Sequence, residues 1–335
     1  MSAILVIGGG PAGAAAAITA RQAGIEVVIL EELTFPRFRP GETLHPGMEP
    51  LLERLGARQS ILEGDYFRHA GTWVEWGARK GFVPFGGDEA GPWRGFQARR
   101  DDFDRRMLSL ARDSGAHVRP ECATGLTFDA NGRLTGVESP TGRIEARFIL
   151  DASGSKHWLA RRLGVPLRRE SPRLVARYGY MEGALAPEEP LPRIRTSEHG
   201  WTWLADLGQG RYQWIRVTEP SHRPVRPWSP PEWQGMRGCG SFGADVTWRI
   251  AEQTAGERWF LCGDAGGVLD PSSSHGVLRA MMSGMMAAHL ASAVTSGKLL
   301  AANAAASYRQ WFADWFRHDA QIMADAYREA GLFGY

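Results

Sequence analysis

AILVIGGGPAGAAAAITARQAGIEVVILEE, residues 3–32, decides the fold. Its opening run, Ala3 to Ile7, is short and continuously apolar, as a buried strand is. GGGPAG follows at once and leads into an alanine-rich helix expected from Ala14 to Ala23, which Gly24 stops. IEVVILEE then supplies a second strand. A lone G-x-G-x-x-G carries little weight, but between a strand and a helix, with an acid at the end of the next strand, it marks a dinucleotide-binding βαβ unit. Gly8 permits the tight turn, Gly10 lets the backbone approach a pyrophosphate, and Gly13 lets the helix sit close on the strand. Pro11 and Ala12, between these glycines, are expected to line the cofactor with them, and the helix N-terminus faces the negative charge. Glu31 lies about 20 residues beyond the glycines, where a carboxylate accepts ribose hydroxyls; Glu32 takes that place if the register slips by one.

The 335 residues can bury a full core and divide into a cofactor domain and a smaller substrate domain. Thirty-nine basic and 37 acidic residues nearly cancel, so no nucleic-acid partner is expected. Arginine pairs such as Arg99-Arg100 and Arg161-Arg162 read as solvated faces. Cys122, Cys239 and Cys262 have neither close pairing nor metal-ligand spacing, which fits a reducing cytoplasm and no metal site. The opening apolar run lacks a basic leader and is interrupted by glycines, so it reads as a strand and not a signal peptide. Val277 to Val294 is the other apolar stretch. It carries Arg279, Ser283, His289 and Ser292, too polar for a membrane span, and suits a core helix under the cofactor.

Three further segments resemble flavoprotein signatures and favour FAD over NAD. RDDFD (Arg100 to Asp104) is similar to the R-x-x-F-D segment of the aromatic-hydroxylase-like monooxygenases, which implies that Arg100 lies beside the cofactor. DASGSKHWLARRLG is similar to the D-A-S-G segment of the same superfamily at Asp151 and Gly154. LCGDAGGVLDP resembles the G-D segment, implying that Asp264 accepts a ribityl hydroxyl. Gly276 and Val277 would begin the next helix, whose amides face the pyrimidine end of the flavin ring and stabilise its reduced anion.

The fold class expected is α/β: a Rossmann-like FAD-binding domain of the GR2 type, discontinuous over 1–80, 95–165 and 255–300. A smaller antiparallel-sheet substrate domain takes 81–94 and 166–254, and a C-terminal helix 301–335. GWTWLADL and RYQWIRV are aromatic strand candidates of that sheet. The stretch from Glu219 to Gly240, rich in Pro and Gly, reads as a long loop.

The whole chain resembles the flavin-dependent halogenase-like branch of these monooxygenases. Within that branch it looks most like the flavoprotein maturases that oxidise tryptophan residues during quinone-cofactor biogenesis. The carrying segments are RPGETLHPG (39–47), FRHAGTWVEWG (67–77) and LDPSSSHGVLRAMMSGMMAAH (269–289). The resemblance implies an electrophilic flavin hydroperoxide formed with O2, brought against an electron-rich ring while water is excluded. The substrate would be an aromatic small molecule or a peptidyl Trp or Tyr. Only one dinucleotide fingerprint is present, so electrons would come from transient NADPH or from a separate flavin reductase.

Halogenases need a lysine to hold or activate hypohalous acid, and where it would fall this chain has Arg68 and His69. The glutamate that tryptophan halogenases place after the G-D motif is matched by Ser273, and their W-x-W-x-I-P motif survives only as Trp201 and Trp203. Halogenation is therefore the alternative to hydroxylation, and a double-bond reductase of the geranylgeranyl-reductase type is a further one. His275, before the helix-start Gly276, is the first candidate acid or base, given a pKa near neutrality, and His69 the second, with Ser273 a further catalytic candidate. Both also read as hydrogen-bonded pocket walls. Glu42 is expected to fix the loop over the flavin and Arg39 to lie near it. Trp73, Trp76, Trp201, Trp203 and Trp214 sit on strands that could face a pocket or simply pack the core.

Overall fold

The computed structural model describes residues 2–37, 39–41, 43–184, 191–222 and 228–335. Ser2–Ile7 and Val27–Leu30 are the expected strands, joined by the helix Pro11–Gln22. Proline at its first position lacks an N–H that would be unpaired there anyway, so the helix starts earlier than its alanines. His117–Arg119 continues the parallel sheet beyond Val27–Leu30. On the other side, Ser2–Ile7 pairs with the long strand Gly142–Asp151, and that strand pairs with Trp259–Leu261. Register aligns Ile7 with Leu30 and Asp151, and Asp151 with Leu261, so four parallel strands end together. Ligands of open parallel sheets bind in the crevice beyond such carboxyl ends.

Gly276–Thr295 is the core helix that the sequence predicts. It is long and apolar enough to cross a bilayer, yet most of that length is buried in the protein. Gly284 sets its approach to the fingerprint helix: a Cβ there would lie 2.1 Å from Ala12 O. Two backbones thus touch where any side chain would hold them apart. Ala301–Glu329 is the terminal helix and packs over both sheets; Tyr308 donates to Leu261 O (2.8 Å), while Met323 and Tyr327 join the core of the second sheet.

That second sheet has seven strands, in the order Arg237–Asp245, Val175–Glu182, Arg211–Thr218, Gly200–Asp206, Arg193–Ser197, Gly71–Trp76, Arg79–Pro84. Three features depart from the expected domain layout. The sheet is mixed, because Arg193–Ser197 runs parallel to Gly71–Trp76. Gly71–Trp76, expected within the cofactor domain, hydrogen-bonds into this sheet instead, so the chain crosses over before residue 80. The end of the Pro/Gly-rich stretch is an exposed edge strand, Arg237–Asp245, where glycines are tolerated and a bulge relaxes the register. Residues 223–227 of that stretch lie outside the described residues.

Candidate active site

Main-chain hydrogen bonds tie the carboxyl ends together: Gly8 N to Leu30 O (2.8 Å), Ala152 N to Ile7 O (2.8 Å) and Cys262 N to Asp151 O (2.7 Å). Gly8 has φ +102°, and a Cβ on it would lie 2.5 Å from Ala152 O; one on Gly13 would lie 1.9 Å from Gly8 O. Both positions exclude side chains. Gly10 differs, for its backbone is unstrained and an added Cβ would meet only the Arg37 guanidinium, at 3.1 Å. It is glycine because something must approach, as a pyrophosphate would.

Glu31 is buried; its Oε2 accepts Gly9 N (2.7 Å) and its Oε1 accepts Leu33 N (2.9 Å). Glu32 points to solvent and pairs with Lys156, so strand alternation selects Glu31 of the two. Arg37, which the sequence reading passed over in favour of Arg39, stands 3.7 Å from both Glu31 and Asp104 carboxylates with its buried Nε unpartnered. Burial lowers its pKa, against the pull of Glu31 and Asp104. Arg39 is exposed, but near enough to act on both Arg37 and Asp264. Arg100 grips the fully buried Asp104 through two bonds (2.8 and 3.1 Å) and donates to Pro40 O (3.0 Å), anchoring the 39–41 segment beside the crevice. Glu42 lies outside the described residues.

Asp151 is fully buried and structural: it accepts Ser153 N (2.9 Å) and Leu159 N (2.8 Å), fixing the D-A-S-G turn. His157 holds the opposite turn. It receives Arg249 Nε on its Nε2 (2.9 Å), so its Nδ1 carries the proton donated to Ala265 O (3.0 Å). In the turn so held, Asp264 opens onto the crevice, and no described donor reaches its carboxylate. The protein enclosing the crevice pushes its pKa up although the side chain is exposed there, opposed by Arg279, Arg249, Arg100 and Arg39.

The next loop is locked from beneath. Asp270, 1% exposed, accepts Trp248 Nε1 (2.6 Å), Tyr327 Oη (2.6 Å) and Ser272 N (2.9 Å), and Tyr327 in turn accepts Trp201 Nε1 (2.9 Å). Ser273 accepts a bond from Arg279, so its hydroxyl is already engaged. Gly276 follows, and a Cβ on it would meet no atom within 4 Å, whereas Val277 is buried in the core. An unpartnered guanidinium nitrogen, an undonated carboxylate and open glycine faces fit FAD: a diphosphate, ribityl hydroxyls and a flat ring.

Three histidines converge beside Gly276. His45 and His275 meet edge to face with centroids 4.9 Å apart, and Phe85 contacts both His45 (5.4 Å) and His69 (5.3 Å). His69 Nδ1 lies 3.5 Å from Gln97 Nε2; Thr43 donates to Gln97 Oε1 (2.8 Å) and accepts Trp203 Nε1 (3.1 Å). The near-neutral pKa expected for His275 does not hold. Burial, with Arg279 and His45 adding to it, takes His275 down to about 4, and burial, Arg68 and His45 do the same to His69. Burial also lowers His45. At neutral pH these are uncharged acceptors and donors, not acids waiting with a proton.

Of the five tryptophans, only Trp203 reaches this cluster. Trp76 stacks on Tyr327, Trp201 bonds to it, Trp214 faces the opposite side of the sheet against Trp228, and Trp73 lies outside with Phe82. His45, Thr43 and Gln97 were not singled out by sequence reasoning; "LHPG" beside the flavin-loop segment was the one available signal for His45.

A family described as FAD binding domain matches residues 1–227. A tryptophan 2-halogenase of Chondromyces crocatus is 29% identical over 97% of this chain and 67% of its own length. A menaquinone reductase of Mycobacterium tuberculosis is 27% identical over 86% of this chain and 76% of its own. Among solved structures, a peptidyl tryptophan dihydroxylase essential for tryptophylquinone cofactor biogenesis superposes with a TM-score of 0.76 at 20% identity, covering 98% of this chain and 75% of that one. The last of these shows a shared fold.

Proposed function

As the chain belongs to the FAD-binding-domain family and is an FAD-dependent oxidoreductase by that membership, we propose that it is a monooxygenase that hydroxylates an aromatic substrate, including a Trp or Tyr side chain of a peptide. The cofactor is held by the Gly10, Ala12 and Gly13 amides and Arg37 on the diphosphate, by Glu31 on the ribose and by Asp264 on the ribityl chain. Gly276 and Val277 offer helix N-terminal amides to the ring. Bound and reduced, FAD supplies two electrons and the activation of O2. Those electrons come from NADPH in passing or from a separate reductase.

The chain's own residues exclude water and handle the substrate proton. Phe85 and the three imidazoles wall the ring edge. Neutral His275 and His45 are acceptors for the proton that leaves an indole or phenol as the ring is attacked.

The single observation that carries hydroxylation over halogenation is Arg68. It stands where the halogenase resemblance calls for lysine, and its guanidinium is tied to Glu49, Gly95 O (3.0 Å) and Arg94 O (2.7 Å). The chain's three lysines, Lys80, Lys156 and Lys298, are all exposed and none adjoins the histidines. The halogenase reading retains the support of the relative that matches nearly the whole chain. Product mass after turnover with reduced flavin and 18O2 separates the readings. Oxygen-18 in an aromatic product supports hydroxylation, and a mass shift that appears only with chloride or bromide overturns it. Substrate reduction without oxygen points to the reductase class.

A further inference from the structure

His275, Leu278, Arg279 and Met282 recur at helical spacing along one face of Gly276–Thr295 and its cap, and Trp311, Trp315 and Asp319 do so on Ala301–Glu329. Between these stripes lies a cavity of about 190 Å3 lined in part by His275, the residue next to the open Gly276. Met282, 39% exposed, stands at its rim. The walls are largely apolar and aromatic. Arg279, 9% exposed, is neutralised within them: Asp319 Oδ2 lies 2.8 Å from its Nε and Trp315 stacks under it at 5.3 Å. Asp319 Oδ1 receives no donor among the described residues.

We propose that this cavity binds an indole-type ring edge-on to His275, with the ring N–H donated to Asp319 Oδ1. An apolar cavity of about 150 Å3 holds one benzene. A space of about 190 Å3 therefore suits a bicyclic ring and leaves the rest of the substrate outside the mouth. The carboxylate selects a ring that donates and disfavours a ring that carries its own negative charge. The inference deepens the oxidation of aromatic groups proposed above and rests on it for the chemistry, but not for the binding.

The test is calorimetric titration of the FAD-loaded, oxidised protein, with no reductant present, against 3-methylindole and 1,3-dimethylindole. Loss of one hydrogen bond to a charged acceptor is read as a tenfold to hundredfold weakening, on the order of what such bonds contribute. The expected result is saturable binding of 3-methylindole, at least about tenfold weaker binding of the N-methyl compound, and loss of both in Met282→Trp with flavin content unchanged. Equal affinity for the two indoles, no binding of either, or unaltered binding in Met282→Trp overturns the proposal. Intact, discriminating binding followed by no product when reduced flavin and O2 are supplied would leave the pocket standing and overturn the oxidation instead.

Discussion

Gly284→Ala is the most informative change to the fold, because two opposite expectations meet in it. In a helix interior, alanine is favoured over glycine by about 1 kcal/mol. Here the added Cβ would sit 2.1 Å from Ala12 O and 2.9 Å from Ala12 C, and the obstacle is main chain, which cannot swing aside as a side-chain tip can. Ordinary contact begins near 3.4 Å, so the two helices must part by about 1.3 Å. A gap of that order forfeits much of the dispersion attraction along their small-residue interface, and overpacking of this kind costs up to about 3 kcal/mol. The net expectation is a loss of about 2 kcal/mol. FAD affinity should fall as well, because the helices carry Gly10–Gly13 and Gly276 to opposite parts of the cofactor. Urea denaturation of the apoprotein and an FAD titration measure the two effects separately. A variant more stable by about 1 kcal/mol with unchanged FAD affinity would refute the reasoning, since propensity alone predicts that.

Three other changes probe the site. Arg37→Ala should weaken FAD by about tenfold to a hundredfold, and because it also takes a cation from between Glu31 and Asp104 it should lower apoprotein stability; calorimetry with FAD and urea denaturation of the apoprotein measure the two separately. Asp270→Ala should cost about 4 kcal/mol in urea denaturation, since Trp248 Nε1 and Ser272 N would lose their acceptor and Tyr327 Oη would keep only its longer bond to Ser272 Oγ (3.3 Å). His275 has a folded pKa of about 4 against an ordinary 6.5, so the unfolded chain takes up its proton first as pH falls. Its contribution, about 3 kcal/mol, is complete above pH 6.5 and lost on acidification toward pH 4. His275→Asn should therefore flatten the stability profile of the apoprotein across that window; an unchanged slope would mean that burial does not hold this imidazole neutral.

What could be read from the sequence was what is local. Gly8, Gly10, Gly13 and the strand-end acid lie within one βαβ unit, where turn sterics and helix geometry fix their relations. The choice between Glu31 and Glu32 needed only the period of a strand. The Gly276 helix was legible from its apolar length, but the Gly284–Ala12 approach was not, because glycine in a helix has no local signature of what faces it. His45 and His275 are 230 positions apart, and Gly71–Trp76 pairs with a strand more than a hundred residues later. Such contacts arise from tertiary packing that no window of sequence contains. Arg37 and Arg39 were alike on paper; one is buried between two carboxylates and the other is in solvent. The lowered pKa values of His69 and His275 follow from that same packing, as does the groove above His275.

The central claim is that this crevice holds FAD, and Gly10→Val tests it most directly. Gly10 has an ordinary backbone and the Cβ of a valine there would meet only the movable end of Arg37, at 3.1 Å, so the apoprotein should fold normally while the side chain fills the approach to the diphosphate. Absorbance of FAD released on denaturation, measured after incubation with excess FAD and gel filtration, should give about one equivalent per chain for the native protein and almost none for the variant, with matching circular dichroism. Native protein that takes up no flavin, or a folded Gly10→Val that takes up as much, would contradict the account.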